Sequence, residues 1–182
     1  VDETELIEGL TAREHGFTHI REAAAELWQW NAASQVHKLA RQLFIQPEYQ
    51  KRMCAVYLFG MLAIHDAAAL AFLRDDVARD ANWRVQEVLA QAFDYYCRQT
   101  GYEQALPAIQ DWLRADNPNT RRAVTEGLRV WTRRPYFREH PEHAVALILP
   151  QLDSPSEYLR KSAANSLRDI SRTHPRLAPN GL

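Results

Sequence analysis

Apolar residues recur at i, i+3 and i+4 almost everywhere along the chain, and no stretch alternates apolar and polar positions with β-branched residues as a half-buried strand does. The pattern predicts an all-α protein with helices over about 5–13, 18–29, 33–44, 48–63, 66–79, 82–99, 102–115, 118–133, 141–152 and 156–172. Breaks are expected at Gly16, Pro47, Gly101, Asn117-Pro118, Pro135, Pro141 and Ser154-Pro155, where turn and helix-start residues gather. Pro107 and Pro150 lie inside apolar-periodic segments, so those helices must begin or bend there.

The helical pattern itself repeats, at a spacing of thirty-nine residues. Thr120-Arg121-Arg122-Ala123-Val124-Thr125-Glu126-Gly127-Leu128-Arg129 is followed one period later by Leu159-Arg160-Lys161-Ser162-Ala163-Ala164-Asn165-Ser166-Leu167-Arg168, and preceded by Ala81-Asn82-Trp83-Arg84-Val85-Gln86-Glu87-Val88-Leu89-Ala90. Val85, Val124 and Ala163 share one column, and Leu89, Leu128 and Leu167 another. The preceding helices obey the same offset, since Ala105, Leu106, Ile109 and Leu113 match Ala144, Val145, Ile148 and Leu152. The repeating unit is therefore a helix pair, and a period of this length predicts an α-α superhelix of about ten helices, a HEAT-like repeat solenoid. We read residues 1–182 as a single domain, with 1–45 outside the period as an N-terminal cap and 46–175 as the repeats.

Because second helices of such units line the concave side, the repeat also marks candidate binding positions. Trp83 shares a column with Arg122 and Lys161, and Glu87 with Glu126 and Asn165. A column that stays polar in three successive repeats does not point into the core. Trp83 and Glu87, four residues apart, lie one turn apart on one helix face, and an indole beside a carboxylate can cradle a cation. The alternative is a Trp83 packed on the preceding helix and a solvated Glu87. Arg121-Arg122 and Arg160-Lys161 open consecutive second helices, about 10 Å apart if those helices pack side by side, a spacing that suits successive phosphates at helix N-termini. Equally, they could bridge to Glu126 and Glu157.

Composition narrows the partners. The net charge of −1 makes no general case for nucleic acid, but residues 118–182 hold eleven Lys and Arg against six acids, so a surplus of five positive charges sits on a body carrying six negative ones. Apolar runs such as 56–64 are too short and mixed to span a bilayer, and the acidic start Val1-Asp2-Glu3 lacks a secretory signal. Cys54 and Cys97 sit among apolar residues as buried free thiols would, and suit a reducing compartment. Of seven histidines only His15 and His19 are spaced i, i+4, a surface pair with no third ligand in view. No phosphate-cradling glycine loop, Cys-x-x-Cys or nucleophile elbow is present; no metal or other cofactor is expected. Trp28, Trp30 and Phe17 read as aromatics packing the cap.

The segments Asn82-Trp83-Arg84-Val85-Gln86-Glu87, Thr120-Arg121-Arg122-Ala123 and above all Tyr158-Leu159-Arg160-Lys161-Ser162-Ala163-Ala164-Asn165-Ser166-Leu167-Arg168-Asp169-Ile170-Ser171 resemble second helices of the AlkD and AlkC type of DNA alkylation-repair proteins, HEAT-like-repeat DNA glycosylases of bacteria. The resemblance covers roughly residues 45–175. It implies a basic concave cleft for duplex DNA, in which an acid beside aromatic residues assists release of a cationic N3- or N7-alkylpurine, in AlkD without flipping the base into a pocket. By position Trp83 matches the first cleft aromatic, Glu87 the catalytic acid (Asp in AlkD), Arg122 a DNA-contacting arginine, and Asn165 the place of AlkD's second cleft tryptophan.

Two functional classes follow. The first is a cytoplasmic, monomeric bacterial protein that docks duplex DNA through Arg121, Arg122, Arg160, Lys161 and Asn165, with Glu87 as catalytic acid and Trp83 as its cation cradle. The second is a non-catalytic helical-repeat scaffold that grips a protein or DNA partner.

Overall fold

The computed structural model describes residues 2–177 and is helical throughout, with no strand among the described residues. Ten α-helices follow in order: α1 (Glu3–Gly9), α2 (Thr18–Trp30), α3 (Ala33–Phe44), α4 (Tyr49–Leu62), α5 (Ala67–Asp75), α6 (Trp83–Thr100), α7 (Leu106–Leu113), α8 (Pro118–Gly127), α9 (Pro141–Ile148) and α10 (Glu157–Thr173). Each overlaps one segment of the apolar periodicity, α1 lying earlier than its expected 5–13 and α2, α6 and α10 running one residue past theirs. The chain divides into two compact units, Val1–Ala92 and Phe93–Leu182.

The helix starts follow from local chemistry. Asp2 accepts from the Glu5 N–H, Asp66 from that of Ala68, Asn117 from that of Asn119 and Ser156 from that of Leu159, each satisfying a first-turn donor with no partner inside the helix. Pro118 and Pro141 occupy the first turns of α8 and α9, where a missing N–H costs nothing. Pro107 likewise lies in the first turn of α7, and Pro150 opens a short 3-10 turn after α9 instead of bending it. Gly101 follows α6 at φ 93°, a left-handed turn that an L side chain resists.

Several expected helices are shorter than their periodicity, among them 102–115, which is α-helical over Leu106–Leu113, and 141–152, which leaves the α-helix at Ile148; two others show the cause. The segment 66–79 ends its α-helix at Asp75 and finishes as a 3-10 turn, Val77–Arg79, while 118–133 stops at Gly127 and resumes as a 3-10 turn, Trp131–Arg133. Apolar residues in both 3-10 turns remain buried, which is why the hydrophobic period runs on past the true helix end.

In the first unit α4 is the central helix and packs against α2, α3 and α5. Its run Met53 to Gly60 is buried on every side, and it carries little amphipathic signal. In the second unit α8 packs on α7 and α10, and α9 on α10. The Thr125 and Ser162 hydroxyls meet at 2.6 Å and Ser166 Oγ donates to the Thr125 carbonyl at 3.0 Å, so the α8–α10 seam is closed by satisfied polar groups as well as by the Leu128 and Leu167 columns. Asp94 accepts from the Tyr102 hydroxyl at 2.8 Å and from Arg134 Nη2 at 2.9 Å; burial pushes its carboxyl upward against those two favourable interactions and the nearby charge of Arg98.

Both cysteines are buried free thiols, and burial raises Cys54 to about 12 and Cys97 well above the usual thiol range. Since the thiolate is the nucleophile, neither should react with iodoacetamide at about pH 8 in the native protein. Both should label once denaturant exposes them, as counted by intact-mass measurement. With the folded Cys54 value above the unfolded one, its stabilising contribution is fully present below the ordinary thiol range and is lost as pH climbs toward 12.

Candidate nucleic-acid interface

In the first unit the candidate positions gather at the start of α6. Asn82 Oδ1 accepts from the Arg84 N–H at 2.9 Å and Asp80 Oδ1 from the Asn82 N–H at 2.8 Å, which fixes the entry of the chain. Val85, Val88 and Leu89 turn inward and are fully buried, so the opposite face of α6 presents its side chains outward. There Trp83 is 53% exposed, a large apolar surface left in solvent. Glu87, part-buried, stands one turn further along, about 6 Å by helical rise. A flat π-face and a carboxylate on one helix face favour a planar cation, by ring quadrupole and by charge respectively.

Around this pair the structure assembles residues the repeat did not mark. The Phe17 ring lies 6.5 Å from that of Trp83, so Phe17, the residue before α2, flanks the α6 start. Arg84 places its guanidinium 4.6 Å from the Trp83 ring centre and 5.1 Å from that of Tyr49, with Nη2 3.2 Å from His15 Nδ1. No sequence signal links these residues, because Phe17 and His15 come from a loop outside the period.

In the second unit the basic positions have individual surroundings. Arg122 is 6% exposed, lies 4.0 Å from Glu126 and stacks its guanidinium 4.0 Å from the ring centre of Tyr158, a residue of α10 that is itself half exposed. Arg121 is part-buried with its Nε enclosed and without a hydrogen-bond partner among the described residues. Arg160 turns back and donates through Nη1 to the carbonyls of Ser154 at 2.7 Å and Pro155 at 2.9 Å, holding the loop before α10. Lys161 stays exposed and pairs with Glu157 at 2.7 Å; that hydrogen bond and the ammonium charge hold the Glu157 carboxyl below its usual range. So exposed a pair exchanges readily for another anion. Asn165 Oδ1 accepts from Arg168 at 2.9 Å, while Arg129 and Arg172 share Asp169 and Arg134 is taken up by Asp94.

The α6 group and the α8–α10 group thus have distinct characters. The first is an aromatic and cationic cluster with a carboxylate a turn away. The second is a basic helix-start region in which Arg122 is fixed by stacking, Arg160 braces a loop, and Lys161 and part of Arg121 reach the surface.

A family described as DNA alkylation repair enzyme matches residues 16–180. The crystal structure of AlkD2 from Streptococcus mutans superposes with a TM-score of 0.92 at 46% identity, covering 97% of this chain and 84% of that one. That of smu.31 from Streptococcus mutans UA159 gives 0.90 at 44%, covering 97% and 85%. The uncharacterized protein YhaZ of Bacillus subtilis (strain 168) is 33% identical over 79 residues, 41% of this chain; the match spans only 22% of that relative's length.

Proposed function

The chain belongs to the DNA alkylation repair enzyme family, and from that premise we propose that it binds duplex DNA and acts on cationic N3- or N7-alkylpurines through the α6 group. The observation that carries this reading is the exposed Trp83 indole with Glu87 one turn along the same helix face. An alkylated purine is already a good leaving group. The glycosidic C–N bond breaks with its electron pair going to the base, which departs neutral, and positive charge collects on the sugar. Water then adds to that carbon and releases a proton, leaving an abasic deoxyribose. The protein need supply only a negative charge close to the sugar, which is the role of Glu87, and a π-face against the cationic nucleotide, which is the role of Trp83. Arg121, Arg122, Lys161 and the α10 helix start serve the DNA backbone, and Asn165 lies one turn beyond Lys161.

A second reading, a scaffold that grips a partner without turnover, is favoured by one observation: Arg122, Arg160 and Lys161 all hold partners within the chain. Alkylated duplex DNA distinguishes the two. Chromatographic detection of released methylpurines supports the first. An absence of release by protein that still binds the duplex supports the second.

A further inference from the structure

We propose that Arg84 is a backbone-phosphate contact, held ready by His15 and by the two rings that flank it; this rests on the duplex-DNA reading above. Arg84 is part-buried, and its guanidinium lies against Trp83 at 4.6 Å and Tyr49 at 5.1 Å. Cation–π contact with the two rings covers part of the guanidinium and leaves its other N–H groups for a ligand. It also displaces water from a group that is already weakly hydrated, so a ligand meets less desolvation cost. Among the described residues no carboxylate hydrogen-bonds to this guanidinium; its side-chain hydrogen-bond partner is His15, at 3.2 Å.

A guanidinium can only donate, so His15 Nδ1 accepts and the ring carries its proton on Nε2. That N–H points away from the arginine, so the guanidinium's own remaining N–H groups are the donors of the site. The loop bearing His15 is itself tied down, since the Tyr49 hydroxyl donates to the Glu14 carbonyl and Gln50 Nε2 to the Arg13 carbonyl at 3.4 Å, while Phe17 leans on Trp83. A fork of permanently charged donors on a braced frame matches a phosphate diester: planar, bidentate and anionic recognition is what arginine provides and lysine does not. The site also stands beside Trp83, so a strand whose alkylated nucleotide lies on the indole brings its own phosphates to Arg84.

The test is duplex binding by fluorescence anisotropy across a salt series, for wild type, Arg84→Gln and Arg84→Lys. One lost phosphate contact lowers the slope of log K against log salt by about 0.9, which amounts to roughly eightfold in affinity at 0.1 M salt. Arg84→Gln should show both changes, and Arg84→Lys, which keeps the charge but not the fork, should retain the wild-type slope with weaker binding. An unchanged slope in Arg84→Gln overturns the proposal even if affinity falls, because lost packing releases no counterions. A slope reduced equally by lysine overturns it too, as the signature of a merely structural arginine. Wild-type protein that shows no salt-dependent binding overturns the DNA reading along with it.

Discussion

Glu87→Gln should release methylpurines from alkylated duplex DNA about a thousandfold more slowly than the wild type, with binding of unmodified duplex little changed. The substitution preserves shape, turns one acceptor oxygen into a donor NH2 and removes one negative charge. A unit charge about 4 Å from the developing cation is worth roughly 4 kcal/mol at an effective dielectric near 20, and each 1.36 kcal/mol is about a decade in rate. The effect should fall on the chemical step rather than on affinity, because the sugar bears full positive charge only in the transition state. Single-turnover rates with protein in excess isolate that step. Equal rates for the two proteins would remove Glu87 from the reaction. Trp83→Ala should act differently, weakening capture of the alkylated site more than it slows the step that follows.

The largest effect on stability is expected at Gly60, in the middle of α4. A Cβ built there lies 2.9 Å from Ala92 Cβ and 3.1 Å from Ala92 Cα, so the backbones of α4 and the adjoining part of α6 meet with no room for a side chain. Gly60→Val should cost about 3 kcal/mol or more, at the upper end of what overpacking does, against a total stability of about 5–15 kcal/mol. For a chain of this size that is a fall in Tm of roughly 6–12 °C. Gly60→Ala should fall between, because helix propensity returns about 1 kcal/mol against the overlap. Pairing it with Ala92→Gly, which opens the opposite side of the crossing, should recover part of the loss in thermal melts. An Ala92→Gly background in which Gly60→Ala is as damaging as before would show that the crossing is not what constrains this position.

The fold was legible because a helical repeat writes its core in register. Val85, Val124 and Ala163 are all fully buried, as are Leu89, Leu128 and Leu167, and an offset of thirty-nine residues finds both columns without reference to any tertiary contact. Helix ends were less legible at Asp75 and Gly127, since a 3-10 turn buries apolar residues as well as a helix does. The candidate site was readable only in part. A column fixes the direction in which a side chain leaves its helix but not what meets it there: Trp83, Arg122 and Lys161 are equivalent by repeat, yet the first is exposed, the second is covered by Tyr158 and the third stands in solvent beside Glu157. Tyr158 was visible only as part of the α10 motif, and nothing in the period linked it to Arg122. His15, Phe17 and Tyr49 reach Arg84 and Trp83 across 35 to 69 positions of sequence, from segments with no periodic relation to α6. Pairings of that kind arise from tertiary packing alone.

Whether this chain binds duplex DNA is decided by the affinity of the wild type for a duplex bearing 7-methylguanine, measured between about 50 and 200 mM salt. With Arg84, Arg121, Arg122 and Lys161 each meeting a phosphate, a slope of about −0.9 per contact gives a loss of roughly 150-fold across that range. Affinity that is flat in salt, or no binding at the lowest salt, would contradict the account and leave a protein-gripping scaffold in its place.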